Sequence, residues 1–342
     1  LALTTGELGA ALLGMALGAL VAMPTTGWLT ARFGSRLVTR VSALGFCVAV
    51  ILPALASGRL WLVSALVVLG VTHGAMDVAM NAQAAELERA YRRPIMSSFH
   101  ALFSFGGMAG AGVGGVMAHF GVEPLTHLSS VALSAGSAAL VASRRLLANE
   151  RRIINKEPVF ARPERSLLGL GVITFCVMFG EGAMADWTAI YLLQTLQTDA
   201  GVAAAGYAAF SLAMAVGRLT GDRLTAGLGQ VTMLRVGGSL AALGMGVSLI
   251  ANQAFLVIVG FALVGAGFST IVPLVFSAAG RNRGMSPGAA IAAVSTVGYF
   301  GFLVGPPLIG FGADRLTLRG ALGVVVILSG MIAILSGTIR RF

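Results

Sequence analysis

Three side chains at four-residue intervals, His73, Asp77 and Asn81, stand inside a long apolar run. That spacing stacks them on one face of a helix. A carboxylate flanked by an imidazole and an amide reads as a proton-accepting acid with hydrogen-bonding groups for a solute. The structural alternative is an acid neutralised by a basic neighbour or a helix terminus. Two further acids fall well inside apolar runs, Glu181 and Asp186. Glu181 shares a face with Met184, Ala185 and Thr188. It reads as a proton or substrate residue, or as half of a structural pair between helix bundles. Asp186, five residues on, points elsewhere and reads as structural or gating. Trp187 and Tyr191 are four apart and offer a surface on which a sugar-like ring would stack. Anchoring at the membrane interface is their other reading.

These residues matter because of the segments that hold them. Hydrophobic residues make up 57% of the 342, charged residues 11%, and mean hydropathy is +0.89. A soluble domain carries about a quarter charged residues, so the chain reads as a polytopic membrane protein. Its apolar runs are continuous, without two-residue alternation, which points to helices and away from a barrel. A charge at the centre of such a helix costs about 2.5–3.5 kcal/mol on insertion scales and faces a cavity or another charge. Desolvation also raises a carboxylic acid's pKa towards neutrality, where a proton carrier works.

Eleven spans are expected, over 7–30, 37–57, 60–85, 97–120, 125–147, 166–194, 202–221, 230–251, 254–279, 286–312 and 320–339. Each is near or above the ~20 residues that cross the hydrocarbon. Basic residues fall on alternate connections. Twenty of the 23 Lys and Arg lie on one side, and only Arg59, Arg315 and Arg319 on the other. The first side is therefore cytoplasmic and includes the C-terminus. The net charge of +10 comes from these short clusters and forms no stripe of the kind that binds nucleic acid. Cys47 and Cys176 each stand alone as packing residues, and no metal spacing is present. No phosphate-binding loop, HExxH or GxSxG occurs, so neither ATP-driven transport nor an enzyme is expected.

The polar stretch 149–165 separates five spans from six. This divides the chain into an N-terminal bundle over 1–147, a cytoplasmic linker over 148–165 and a C-terminal bundle over 166–342. The halves resemble each other: GWLTARFGSR at 27–36 corresponds to GRLTGDRL at 217–224. If they are six-span repeats, the first has lost its first span, in keeping with the loop-like opening Leu-Ala-Leu-Thr-Thr-Gly-Glu. Small residues recur every fourth position at Ala10–Gly14–Gly18–Ala22, Gly106–Gly110–Gly114–Ala118 and Ala209–Ala213–Gly217–Gly221, spacing that suits close helices which rock against each other.

The loop at 27–36 resembles the signature loop of the major facilitator superfamily of secondary transporters. Gly27, Arg32, Gly34 and Arg36 match it, while Ala31 stands where the family has an acid that helps hold a cytoplasmic gate closed. Gly217, Arg218, Gly221, Asp222 and Arg223 form the partner motif, which keeps its acid. THGAMDVAMNAQ, GEGAMADWTAIYL and GPPLIGF look like the fucose-permease-like, YbjJ-type branch. That resemblance implies an all-α fold of two pseudo-symmetric bundles around a central cavity, with eleven of an expected twelve helices present. It places 60–85, 166–194 and 254–279 along the cavity, and it supports a coupling role for an acid in the fourth span, here Asp77. Ser269 and Thr270, close to Gly265, Gly267 and Pro273, would bend and line the third of these.

The resulting expectation is a monomeric bacterial inner-membrane transporter of a small solute, working by alternating access. Asp77 and Glu181 couple it to protons, and no cofactor is needed beyond the proton gradient. His73, Asn81, Trp187, Tyr191, Ser269 and Thr270 contact the solute. Gly27, Arg32, Gly34, Arg36, Arg93, Arg218, Asp222 and Arg223 form the gates. The alternative is a membrane-embedded solute-binding or sensing protein without turnover.

Overall fold

The computed structural model describes residues 5–148 and 167–342, so the linker over 149–165 lies outside the described residues. The protein is all-α. Its helices are α1 (Thr5–Phe33), α2 (Ser35–Ala49), α3 (Arg59–Tyr91), α4 (Met96–His119), α5 (Pro124–Ser143), α6 (Leu168–Ile190), α7 (Ala200–Leu228), α8 (Gln230–Ile250), α9 (Ala254–Phe268), α10 (Ile271–Gly280), α11 (Pro287–Arg315) and α12 (Leu318–Leu335). Among the described residues, nine stretches are helical, long and apolar enough to cross a membrane. α4 and α7 occupy the other two predicted spans.

Three features differ from the plain span pattern. α9 and α10 share one crossing, broken at Ser269 and Thr270. Pro273 explains the break, since it has no N–H to return to the Ser269 carbonyl. α3 runs for 33 residues, beyond the span expected over 60–85. At 1.5 Å per residue it is about 50 Å long and exceeds the hydrocarbon thickness. Finally, α6 ends in a wider π turn over Tyr191–Thr195.

The described residues gather into two compact units. Residues 5–91, 105–148 and 280–296 form the first, and 92–104, 167–279 and 297–342 the second. α4 and α11 are thus each divided, with their first turns in one unit and the remainder in the other. In the first unit α3 packs on α1 and α2, and α2 on α5. In the second, α9 packs on α7 and α8, and α12 on α6 and α8. The small residues of α1 serve this internal packing: Gly14 and Gly18 lie against Val63 and Val67 of α3, and a Cβ on Gly74 would stand 2.8 Å from Ala19 Cα. The four-residue spacing predicts Gly14 and Gly18 on a sliding surface. They instead close a helix pair within one unit, because small side chains are what let two backbones touch.

Candidate functional site

The first acidic site is on α3. The Asn81 amide, 3% exposed, donates to the Asp77 carboxylate Oδ1 at 3.0 Å and to the Asp77 carbonyl at 2.8 Å. The four-residue spacing therefore brings this acid and amide into contact. His73 turns instead to α2, where its ring centroid lies 5.8 Å from that of Phe46. Among the described residues, no cation pairs with Asp77.

The second acidic site is built in the second unit by α6, α7 and the first turns of α4. Glu181 stands on α6 between two glycines. A Cβ on Gly180 would lie 2.5 Å from Phe268 Cε2, and one on Gly182 would lie 3.1 Å from Phe302 Cδ1. The G-E-G sequence thus admits aromatic rings on both sides of the acid. Its cation is Arg218 of α7, with Nη2 3.7 Å from Glu181 Oε1 and side chains 10% and 19% exposed. Arg218 Nη1 also donates to Ser104 Oγ of α4 at 2.7 Å. One turn earlier on α4, the His100 ring packs 5.9 Å from Phe276. His100 Nε2, Glu181 Oε1 and Arg218 Nε are all buried and outside hydrogen-bonding reach of a partner. Pattern reading took Arg218 as a motif residue only and passed over Ser104. The available signal was the cation itself, since an arginine within an apolar run requires an acceptor.

Two helix-end contacts surround the signature loops. Asp222 accepts from the backbone N–H groups of Ser97 (2.9 Å) and Ser98 (2.8 Å), and from the Ser98 hydroxyl. It thereby caps the first turn of α4, where unpaired N–H groups and the helix dipole favour an anion. α11 is started differently: Pro287 opens it, and the Ser286 hydroxyl accepts from Ala289 N–H at 3.3 Å. Against this turn lies bare backbone. A Cβ on Gly27 would stand 2.8 Å from the Ala292 Cβ, and Gly288 abuts Thr30. Gly34 and Gly229, with φ of 84° and 79°, make the turns that follow α1 and α7. Only glycine enters that region at no steric cost. Counted from these turns, the residue equivalent to Asp222 is Gly27, seven positions ahead of Gly34 as Asp222 is of Gly229.

The other residues singled out by sequence are dispersed. Ser269 donates to the Ala266 carbonyl at 2.7 Å and lies against Gly217, while Thr270 lies against Gly221. Both are buried in the seam with α7. Tyr191 is fully buried, donates to the Ser248 carbonyl at 3.1 Å and meets Phe261 edge-on. Trp187 faces Gly310 of α11. Arg32 stacks on Trp28, 5.2 Å from its centroid, and Arg223 is exposed. Arg36 and Arg40 donate to the carbonyls of Arg144 and Ser143, at the negative end of α5. Arg93 follows Arg92, whose φ of 55° turns the chain between α3 and α4. Beyond the spans, Arg281 pairs with Glu88 at 3.6 Å. Burial draws the Arg281 pKa down, Glu88 opposes this and Arg89 adds to it. No cluster able to hold a metal occurs among the described residues.

Among the described residues, the spans thus hold one partly buried acid without a cation, Asp77, and one with a cation, Glu181. The sequence profile of the Major Facilitator Superfamily matches residues 1–286. An uncharacterized MFS-type transporter of Yersinia pestis is 36% identical over 339 residues, covering 99% of this chain and 88% of that protein. Membrane protein MosC of Rhizobium meliloti is 35% identical over 333 residues, covering 96% and 80%. Among solved structures, the MFS transporter FucP in its outward conformation superposes with a TM-score of 0.80 at 15% identity, covering 98% of this chain and 90% of FucP. The last likeness concerns the fold.

Proposed function

This chain belongs to the Major Facilitator Superfamily, and we propose that it is a proton-coupled secondary transporter of a small neutral solute in a bacterial inner membrane. It is a membrane transporter and not an enzyme. The solute site opens alternately to the two faces of the membrane, and the C-terminus is cytoplasmic.

The observation that carries the proton step is Asp77. It sits in mid-helix, and its side-chain partner is a neutral amide one turn away. An ionised carboxylate at mid-membrane depth without a cation is costly, so the acid is best accommodated with a proton at one stage of the cycle. Asn81 orients the carboxylate. Glu181 is the second proton-sensitive acid, held by Arg218 when ionised. Asp222 on the first turn of α4 and Gly27 on that of α11 act as the gating contacts. The resemblance to the fucose-permease-like branch supports a sugar-like substrate.

The test is transport in proteoliposomes with labelled neutral sugars. The wild-type protein should accumulate solute when an inward proton gradient is imposed, and should exchange it without one. Asp77→Asn should abolish accumulation and retain exchange. Normal proton-driven accumulation by that variant would remove Asp77 from the mechanism, and binding without exchange by the wild type would remove transport of these solutes.

A further inference from the structure

The second unit carries a further feature at the end of α6, away from Glu181. There a cavity of about 390 Å³ lies between the end of α6, the end of α11 and the start of α12, lined by Trp187, Gln194, Gly310, Phe311, Asp314 and Leu318. Its level in the membrane follows from connectivity. α11 and α12 are both crossing helices, and only Leu316 and Thr317 join them. A link so short places this end at the boundary between hydrocarbon and water, where Trp is the favoured aromatic residue.

The chemistry of the wall is mixed in a specific way. Asp314 is exposed and makes no ion pair or hydrogen bond among the described residues. Trp187 packs its ring on Gly310, where a Cβ would stand 3.5 Å from the indole, and its Nε1 has no partner. A carboxylate and an indole together attract a compact ammonium. The next residues along from Asp314 and Leu318 are Arg315 and Arg319. By the distribution of charge along the sequence, they are two of three basic residues assigned to this side of the membrane. Arg319 is braced by Asn252 Oδ1 at 3.0 Å, and Arg315 is exposed. Phe311 and Leu316, 73% and 70% exposed, add an apolar flank of the kind that acyl chains cover.

We propose that this cavity binds the headgroup of a phospholipid bearing a primary ammonium beside its phosphate. The ammonium sits between the Asp314 carboxylate and the Trp187 ring. The phosphate is met by Arg315 and Arg319, and the acyl chains pass over Phe311 and Leu316. A purely anionic headgroup is disfavoured by Asp314, and a purely cationic solute by the two arginines. A zwitterion satisfies both signs. This inference is independent of the proton-coupling reading.

The experiment is native mass spectrometry of the purified full chain with phosphatidylethanolamine, phosphatidylcholine and phosphatidylglycerol of matched acyl chains. Glycerophosphoethanolamine serves as a competitor without chains. The wild type should retain phosphatidylethanolamine about tenfold better than the other two. Asp314→Asn should erase that preference with an unchanged melting temperature, and Arg315→Gln with Arg319→Gln should weaken retention of all three lipids. Equal retention of the three by the wild type, or an undiminished preference in Asp314→Asn, would overturn the site. Displacement of bound lipid by glycerophosphoethanolamine at equal concentration would overturn the lipid as occupant in favour of a free amine. Transport assays are unaffected by either result.

Discussion

Asp77 and Glu181 are both partly buried carboxylates within membrane helices, and they are kept in opposite ways. Asp77 is satisfied within its own helix by Asn81, and no cation pairs with it among the described residues. Glu181 depends on two other helices, since Arg218 of α7 faces it and is itself held by Ser104 of α4. The first arrangement tolerates a change of charge, because a neutral acid still accepts from the Asn81 amide. The second does not, since removing the negative charge leaves a guanidinium buried beside a hydroxyl. One acid is thus suited to gain and lose a proton with little structural consequence, and the other to transmit its charge state to its neighbours.

The sharpest test of that contrast is truncation of the cation. Arg218→Ala should destabilise the protein by about 3–5 kcal/mol, the usual result of stranding one partner of a buried pair. Replacing both members, as Glu181→Gln with Arg218→Met, should recover most of that loss. Unfolding in mild detergent measures both. An Arg218→Ala protein as stable as wild type would erase the distinction between the two sites.

Asp77→Asn is the counterpart and should leave stability within about 1 kcal/mol, because one neutral hydrogen bond replaces another of similar geometry. Its expected defect is confined to proton-driven accumulation. A stability loss as large as that of Arg218→Ala would mean that Asp77 holds a structural charge pair.

Much of this was readable from residue spacing, and the remainder fails for one physical reason. The spans follow from hydropathy, the break at Ser269 and Thr270 from Pro273, and the Asp77–Asn81 contact from helical period, all local properties. The Glu181–Arg218 pair joins positions 37 apart in sequence, on helices whose facing surfaces no local pattern specifies. Tyr191 and Trp187 show the same limit. Four-residue spacing put them on one face, but one is buried against Phe261 and the other faces α11. The signature loops show it again. Aligned by their letters, Ala31 is the missing acid. Aligned by the glycines that turn the chain, Gly27 takes the place of Asp222. The α11 helix needs no borrowed acid, since Ser286 caps it locally and bare backbone packs against its first turn.

The two helix starts therefore carry a smaller version of the same contrast, one capped from another helix and one from its own sequence. Asp222→Ala should cost about 1–2 kcal/mol, the range for losing a charged cap at a helix N-terminus. Ser286→Ala should cost less, because the cap it removes is neutral and long, at 3.3 Å, where that of Asp222 is charged. Hydrogen exchange at the Ser97 and Ser98 amides localises the first effect, and the Ala289 amide localises the second. Equal protection in both variants would mean that Asp222 is not the cap that holds α4.

The smallest effect is expected at Asn81. Its amide bonds the Asp77 carboxylate and backbone within one helix, so Asn81→Ala removes two contacts without stranding a charge pair. Side-chain hydrogen bonds between membrane helices average about 0.6 kcal/mol, and a loss of that order is expected here. The transport readout is more discriminating than stability. If Asn81 orients Asp77, Asn81→Ala should shift the pH at which proton-driven uptake is half-maximal, while Asn81→Asp, which places a second acid one turn away, should shift it further. If Asn81 instead contacts the solute, the apparent affinity for solute should fall and the pH profile should stay in place. The direction in which these two parameters separate decides whether Asn81 belongs to the acid or to the substrate.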